Sequence, residues 1–315
     1  MRNEVENNKS LVKTDKQLWL VDNNNYFSRV DKFLRNVLKN VPLSAIYKLF
    51  RTGKVYVNDK RVKEPSMKLE IGDRVEIKNE DISKYNREFK ELKSAKMKLD
   101  IIFEDDELIV VNKPAGISVH PGKNVNKPSI IEGLKYYGEK TGFEPFLVHR
   151  LDKETSGVLI VAKNRQTARE LSEMISSRNV EKRYVTMVFG RAERQEINVP
   201  IDSQEARTII KPLKVFRTKI GGEWVELTLL DVEIETGRKH QIRKHLSMKN
   251  LPIICDNDYG NFRLNRAFSK KYGLKRQFLH CKKMALSFHG KSYQFIAELS
   301  EDLQTVLKVL ESEVD

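Results

Sequence analysis

The chain has 315 residues and a formal net charge of +14, from 58 lysine and arginine residues against 44 aspartate and glutamate residues. This length suffices for more than one domain, and the positive charge favours a polyanionic partner, with nucleic acid preferred over a membrane surface. No apolar run approaches the roughly 18 residues of a membrane span, and the polar, partly acidic N-terminus is unlike a targeting segment. We therefore expect a cytoplasmic protein without membrane contact.

Cysteine and histidine usage argues against a metal site and against a disulfide framework. The two cysteines, Cys255 and Cys281, form no Cys-x-x-Cys motif, as is typical of proteins in a reducing compartment. His240 and His245 are five residues apart, which is not the i, i+4 spacing of a helical ligand pair. We expect no bound metal, and the absence of a glycine-rich nucleotide fingerprint predicts no cofactor.

The N-terminal part of the sequence predicts a flexible segment followed by a small module of helices and strands. Residues 1–25 are expected to be flexible, with one short strand at residues 18–21. Apolar residues at helical spacing predict a first helix over residues 30–38. A second helix is predicted over residues 45–51, with Ser44 as its N-cap and Gly53 as its C′ residue, and residues 58–60 suit the turn of a hairpin.

This pair of short basic helices, followed by a tight hairpin, resembles the S4 RNA-binding domain over residues 26–80. The resemblance implies that cations of the module contact RNA phosphates, and such contacts position a protein without specifying a sequence. The alternative is that these cations form an ordinary solvated face. The candidate phosphate contacts are Arg29, Arg35, Lys48, Arg51, Lys54 and Lys60.

A change of composition separates this module from the rest of the chain. Residues 81–98 are highly charged and have few apolar anchors, which predicts a linker. Strand-like runs begin after residue 98, and the second of them enters the loop Asn112-Lys113-Pro114-Ala115-Gly116. For Lys113 and Pro114 a structural role is favoured over a catalytic one. Residues 99–315 are expected to form the second, larger domain.

The stretch His149-Arg150-Leu151-Asp152-Lys153-Glu154-Thr155-Ser156-Gly157 is the first of two candidate functional motifs. Apolar runs precede and follow it, which predicts a strand, a polar loop and a second strand. A loop held by a sheet can present reactive groups, and Asp152 lies there beside the cations Arg150 and Lys153. An isolated aspartate in such a turn would more often cap its own backbone.

The second motif follows a long strand-like run, residues 224–235. The alternation of its apolar residues changes phase near Leu230, which predicts a β-bulge or a bend there. The motif itself, residues 236–245, opens with Thr236-Gly237-Arg238 and continues into a helix whose inward side chains are Ile242 and Leu246. Arg243 lies at the edge of this apolar stripe, where its guanidinium can turn toward a buried carboxylate.

Both motifs, and the strand Lys182-Arg183-Tyr184 between them, resemble those of the RluA-type pseudouridine synthases, and most nearly the RluC-like subgroup that acts on large-subunit (23S) ribosomal RNA. The resemblance implies an α+β pseudouridine synthase fold. In this fold a mixed, mostly antiparallel central sheet has flanking helices, here preceded by the small S4-like α/β domain.

The same resemblance implies roles for individual residues. Asp152 would be the catalytic carboxylate, as the nucleophile or as the base of a glycal mechanism. Arg243 would hold Asp152 through a charge-assisted pair, and Tyr184 would stack on the uracil. The candidate RNA-binding residues of this domain are His149, Arg150, Lys182, Arg238 and His240.

Isomerisation of uridine adds and removes nothing overall, which agrees with the expectation of no cofactor. The expected partner is RNA, as 23S ribosomal RNA or a pre-ribosomal particle, bound by a monomer that does not use DNA. A transfer-RNA target stays open, as does a non-catalytic RNA-binding protein built on the S4-like module. An RNA methyltransferase is disfavoured because the sequence lacks the glycine-rich loop for a methyl donor.

Overall fold

A computed structural model describes residues 17–22, 26–85, 92–122 and 127–313 of the chain. The chain divides into two compact units, Met1–Glu91 and Leu92–Asp315. In the described ranges no helix is long and apolar enough to cross a membrane.

The first unit packs two helices on one small antiparallel sheet. Its sheet has the order β1-β4-β2-β3, and both helices bury their apolar faces against it, with Phe33, Leu34 and Phe50 at most 1% exposed. The elements are β1 (Gln17–Leu20), α1 (Val30–Val37), α2 (Leu43–Arg51), β2 (Val55–Val57), β3 (Lys60–Val62), β4 (Arg74–Ile77) and a 3₁₀ turn (Ile82–Tyr85).

The local turns of this unit agree with the sequence patterns, except at one helix start. Asn58 and Asp59 have φ values of 48° and 65°, as a two-residue hairpin turn between β2 and β3 requires. Gly53, with φ +66°, follows the C-terminal end of α2 as predicted. The prediction of Ser44 as N-cap was wrong: α2 begins at Leu43, Pro42 occupies the N-cap position, and no side chain caps the helix there.

We expected two segments, residues 1–25 and 81–98, to lie outside the domains, but parts of both segments pack against the domains. Within the segment 1–25, β1 pairs with β4 along its whole length and Trp19 packs on the core. The described ends of the segment 81–98 belong to opposite units, since Ile82 is buried in the first core, whereas Ser94 donates to Glu139 at 2.6 Å in the second unit. Any linker is therefore shorter than the 18 residues that composition alone suggested.

The second unit is built on one ten-stranded sheet. Eight strands follow the order β10-β11-β12-β9-β13-β8-β6-β5, while β14 pairs with β13 and β7 pairs with β8. Among the strands that the structure describes, only the β8–β13 pair is parallel, so the expected mixed, mostly antiparallel sheet is confirmed. The elements are β5 (Ile101–Glu104), β6 (Leu108–Lys113), α3 (Ile130–Thr141), β7 (Phe146–Leu147), β8 (Ser156–Ala162), α4 (Arg165–Ser176), β9 (Glu181–Phe189), β10 (Gln195–Ile197), β11 (Thr208–Ile220), β12 (Glu223–Ile234), α5 (Gln241–Met248), α6 (Phe262–Tyr272), β13 (Leu279–Phe288), β14 (Lys291–Ile296) and α7 (Glu301–Ser312).

Apolar side chains cover both faces of this sheet, and this explains the phase change in β12. Leu227 belongs to the core under α6 and α7, whereas Leu230 and Val232 belong to the core on the other face. The pairing of β12 with β9 is regular through Leu230, but its pairing with β11 shifts register beside Leu230, so the predicted irregularity near this residue is confirmed. The irregularity lies in the partner strand β11, between Pro212 and Lys214.

Candidate active site

The loop that carries Asp152 connects β7 to β8 and is fixed by a close approach of two strands. Gly157 has a φ of +115°, and a Cβ atom at this position would lie 2.2 Å from the backbone oxygen of Cys281 in β13. Only glycine allows β8 and β13 to meet here. The loop also closes on itself, since the Thr155 amide donates to the Asp152 carbonyl at 3.1 Å.

Two buried cations hold the loop in place through hydrogen bonds to backbone carbonyl groups. The Lys113 ammonium donates to the carbonyl oxygens of Pro114, Ile117 and Lys153 at 2.7, 2.9 and 3.1 Å, and burial lowers its pKa to about 7. These contacts support the structural interpretation of Lys113. Arg276 donates to the Glu154 carbonyl at 3.1 Å. Sequence reasoning gave Arg276 no role.

Arg243 forms hydrogen bonds with three carboxylates, one of which is that of Asp152 in the loop. It is 5% exposed, and its Nη1 donates to Asp152 Oδ2 at 3.3 Å. Shorter hydrogen bonds run to Asp256, at 2.6 and 2.7 Å in bidentate geometry, and to Asp258 at 2.7 Å. Burial opposes the charge, but Asp256, Asp258 and Asp152 together raise the pKa of the guanidinium above its ordinary value.

Asp256 is the principal partner of Arg243, and sequence reasoning missed it. Its side chain is completely buried, and the amides of Asp258 and Tyr259 donate to its Oδ1 at 2.9 and 3.0 Å. Burial alone would raise the pKa of this carboxyl group, but the hydrogen bonds from Arg243 and these amides hold it below its usual value. The sequence contained one indication that a second carboxylate was needed. A guanidinium has five N–H donors, and when it is buried a single carboxylate cannot accept hydrogen bonds from all of them.

A pocket opens beside Asp152, with an apolar floor and a cationic rim. Leu151, Tyr184, Ile234 and Leu279 contribute the apolar lining, and Arg150 lies at the rim. Burial, with a smaller effect of Cys281, raises the pKa of Tyr184 well above its ordinary value. The phenol is therefore protonated at neutral pH and can donate a hydrogen bond within the pocket.

His240 lies at the entrance of the pocket in a left-handed conformation, with φ 56° at the start of α5. Its Nδ1 is 3.0 Å from the Tyr259 hydroxyl, while its Nε2 is 3.8 Å from Asp152 Oδ1, too far for a hydrogen bond. Burial lowers the pKa of His240 against the opposing charge of Asp152, so the ring is neutral at pH 7. Arg238 also lines the pocket and donates to the Glu205 carbonyl at 3.0 Å.

Two of the candidate RNA-binding residues do not line the pocket. His149 Nε2 accepts a hydrogen bond from the Ile160 amide at 2.8 Å, and burial lowers its pKa to about 4. Lys182 is 4% exposed and donates to the Glu235 carbonyl at 3.2 Å. Each of these side chains forms a hydrogen bond with the backbone inside the second unit. We therefore withdraw the RNA-binding interpretation for His149 and Lys182.

The candidate phosphate contacts of the first unit differ in availability. Arg29 forms a bidentate pair with Asp31 at 3.0 and 3.1 Å, and Lys54 donates to the Asn79 carbonyl at 3.0 Å. These two cations are at least partly engaged within the unit. The exposed candidates are Arg35, Lys48, Arg51 and Lys60.

Together these groups form a compartment suited to a flat, weakly polar ring next to a charged backbone. The apolar floor can contact the ring, the rim cations can contact phosphate groups, and an immobilised carboxylate faces the ring. The described residues include no group of three or more histidine, cysteine or acidic side chains placed to hold a metal ion.

Comparison with known proteins assigns both units to families. The family described as RNA pseudouridylate synthase matches residues 107–248, and the S4 domain matches residues 28–75. The ribosomal large subunit pseudouridine synthase C of Vibrio cholerae is 34% identical over 317 residues, covering 96% of each chain. Its namesake from Escherichia coli is 36% identical over 301 residues, covering 90% of this chain and 92% of the relative.

A solved structure agrees at the level of the fold. The human RNA pseudouridylate synthase domain containing 4 superposes with a TM-score of 0.53 at 24% identity, over 67% of this chain and 92% of that structure. The chain therefore belongs to the RNA pseudouridylate synthase family, in the group of the large-subunit synthases named C, and is an isomerase acting on RNA that carries an S4 domain before its synthase domain.

Proposed function

We propose that this enzyme converts specific uridines of large-subunit (23S) ribosomal RNA to pseudouridine, with Asp152 as the catalytic carboxylate. The observation that carries the role of Asp152 is its position at the pocket, 3.3 Å from the buried guanidinium of Arg243. The choice of ribosomal RNA rests on the names of relatives that share more than a third of their residues with this chain over most of its length.

The reaction requires the glycosidic C1′–N1 bond to break, the uracil to turn, and a C1′–C5 bond to form. N1 gains a proton and C5 loses one, so atoms balance without a co-reactant. A base inside RNA must first leave its stack, and unpaired loops make this step least costly. The apolar floor of the pocket would then replace the stacking partners that the extruded uracil has lost.

Asp152 would attack C1′ as a nucleophile, or remove the C2′ proton to give a glycal. Arg243 would orient the carboxylate in either case, because its other hydrogen bonds to Asp256 and Asp258 fix the guanidinium. Tyr184, protonated at neutral pH, would contact the face of the uracil and donate a hydrogen bond. Arg150, exposed at the rim, would contact a phosphate or fill the space that the extruded base leaves.

The two units would have different roles in binding RNA. The S4 domain, proposed to extend over residues 26–80, would dock on the RNA through Arg35, Lys48, Arg51 and Lys60, which are exposed on its surface. Such contacts supply affinity and register, while the pocket of the second unit admits the uridine.

The test is pseudouridine mapping on a protein-free transcript of the large-subunit RNA. Carbodiimide-stopped primer extension on RNA treated with wild type should give discrete stops, and Asp152→Asn should abolish them while the fold is preserved. The matched control is Glu154→Gln, which neutralises a neighbouring carboxylate of the same loop and should retain the stops. Stops that persist in Asp152→Asn would refute the catalytic role, and stops found only on transfer RNA would refute the ribosomal target.

A further inference from the structure

A second groove continues from the catalytic pocket toward helix α6. The first part of this path is lined by Asp152, Arg150 and Arg243 and reaches Cys255 and Asn257. The same two residues also line the next depression, which extends to Phe262, Arg266 and Lys275. The two depressions therefore adjoin each other at these residues, and we call the path that they form together the α6 groove.

The segment that borders the α6 groove is unusually basic. Residues 261–276 contain six lysine and arginine residues and no acidic residue. Three of the six cations are paired with carboxylates elsewhere: Arg263 with Glu223, Lys271 with Glu313, and Arg276 with Asp302. Arg266, Lys270 and Lys275 have no ion-pair partner among the residues that the structure describes.

Two of these three unpaired cations line the groove, and the third does not. Arg266, on α6, and Lys275, just after it, both border the depression, whereas Lys270 lies outside it. Among the described residues that line the α6 groove, the carboxylates Asp152, Glu154 and Asp258 are all at the catalytic end. The far end is therefore purely cationic, which suits a polyanion that enters from the pocket.

An exposed aromatic ring stands at the same far end. Phe262, the first residue of α6, is 64% exposed and lines the groove beside Arg266. A large apolar side chain gains nothing from such exposure in the free protein. Exposed rings that alternate with cations are the usual means by which proteins hold single-stranded nucleic acid, because every base has a face that can stack.

We propose that the α6 groove binds the unpaired RNA strand adjacent to the extruded uridine, with Arg266 and Lys275 on its phosphates and Phe262 stacked on a base. This inference rests on the proposed function, since it takes the uridine in the pocket as the start of the strand. A nucleotide turned into the pocket draws its neighbours toward the protein surface. The α6 groove begins at the pocket and ends beside Arg266 and Lys275, so a strand that leaves the pocket along it brings its phosphates to these two cations.

The test compares two double variants that remove the same charge. Arg266→Ala/Lys275→Ala changes the groove, and Lys270→Ala/Lys308→Ala removes two exposed cations that do not line it. Tritium release from [5-³H]uridine-labelled large-subunit transcript gives kcat and KM, and filter binding of the same transcript over a salt series gives the affinity. For the groove variant we expect KM to rise by about tenfold or more with kcat within about twofold. Its salt slope should fall by about 1 to 2, near 0.7 for each single-strand phosphate.

The control pair should match wild type in KM and in salt slope. Phe262→Ala should weaken binding by about tenfold without changing the salt slope, and Phe262→Trp should restore it. If the groove variant and the control pair show the same KM and the same slope, the proposal is wrong. If wild type releases no tritium, the proposed function fails, but the filter-binding comparison still decides whether the groove holds RNA.

Discussion

At the scale of single residues, the site depends on which carboxylates accept the hydrogen bonds of a buried arginine. Arg243 donates to Asp152 at 3.3 Å, but its hydrogen bonds to Asp256 and Asp258 are shorter, at 2.6 and 2.7 Å. The pair that would matter for catalysis is thus the weakest of the three. In the proposed mechanism this arrangement would leave Asp152 free to react, while Asp256 and Asp258 keep the guanidinium fixed.

Asp256→Asn is expected to damage both stability and activity. The substituted amide presents a donor to the guanidinium and leaves a buried charge short of its partner, so the free energy of unfolding should fall by about 3 kcal/mol or more. Arg243 would lose its orientation, and kcat should fall. Denaturant unfolding and tritium release measure the two effects.

The matched control is Asp258→Asn, because Asp258 also accepts from Arg243 but its side chain is 60% exposed. The same substitution there should cost less than about 1 kcal/mol. Equal losses in the two variants would contradict the view that burial of Asp256 makes it the anchor.

His149 should contribute a pH dependence to stability. Its pKa in the folded protein is about 4, below the 6.5 of an ordinary histidine. The unfolded chain therefore binds a proton more readily between these two values, and the folded state loses stability as the pH falls from about 6.5 to 4. The full shift corresponds to about 3 kcal/mol, which we reduce to about 2 because the ring keeps some exposure.

His149→Gln isolates this contribution, since glutamine can still accept from the Ile160 amide but does not titrate. Urea unfolding of both proteins at several pH values should show the stability advantage of wild type shrinking by about 2 kcal/mol between pH 7 and pH 4. A constant difference across that range would show that His149 is not the titrating group.

At the scale of elements, the last helix supports a loop far away in the chain. Asp302, in the first turn of α7, accepts two hydrogen bonds from Arg276 at 2.6 and 2.9 Å. Arg276 in turn donates to the Glu154 carbonyl in the catalytic loop. The apolar side of the helix is anchored by Leu303 and Val306 in the core. Helix α7 is thus part of the scaffold of the active site.

Asp302→Ala should lower the free energy of unfolding by about 2 kcal/mol, a value discounted because the Asp302 side chain is 46% exposed. Activity should fall as well, because Arg276 would hold the Glu154 carbonyl less firmly. Glu301→Ala removes an exposed acid from the same turn and should cost under about 1 kcal/mol. If both substitutions had the same small effect, the support of the loop by α7 would be disproved.

The elements that could be predicted from the sequence are those whose signals are local. The hairpin turn at residues 58–59 and the inward face of α5 follow from neighbouring residues. Apart from the cap predicted at Ser44, which failed locally because α2 already begins at Leu43, the errors arose where distant contacts decide. The extra residue of the irregularity beside Leu230 lies in β11 and not in β12, and the burial of Lys182 depends on strands that are remote in sequence.

At the scale of the whole molecule, each unit has a core of its own. The motifs of residues 149–157 and 236–245 were sufficient to predict the family and the synthase fold, because each is a short, distinctive stretch of sequence. They could not reveal Asp256, whose significance depends on the turn that brings it to Arg243, nor the support from Arg276.

A fragment that begins at residue 92 should fold and keep its own unfolding transition, because the two units share no element of secondary structure. Its affinity for the large-subunit transcript should fall, and the salt slope of binding should become shallower as the phosphate contacts of the S4 domain are lost. Calorimetry and filter binding measure these outcomes. An unchanged slope would show that the S4 domain is not the docking surface.

The parallel contact of β8 with β13 at Gly157 and Cys281 has a consequence for how the enzyme comes into being. During translation the loop of Asp152 emerges more than a hundred residues before strand β13, which contacts it at Gly157. The loop also emerges before Arg243 and Arg276. A nascent or prematurely terminated chain therefore holds Asp152, the proposed catalytic carboxylate, without the means to position it. We expect activity to arise in one late step, when nearly all of the synthase domain has left the ribosome, so that incomplete products cannot modify RNA.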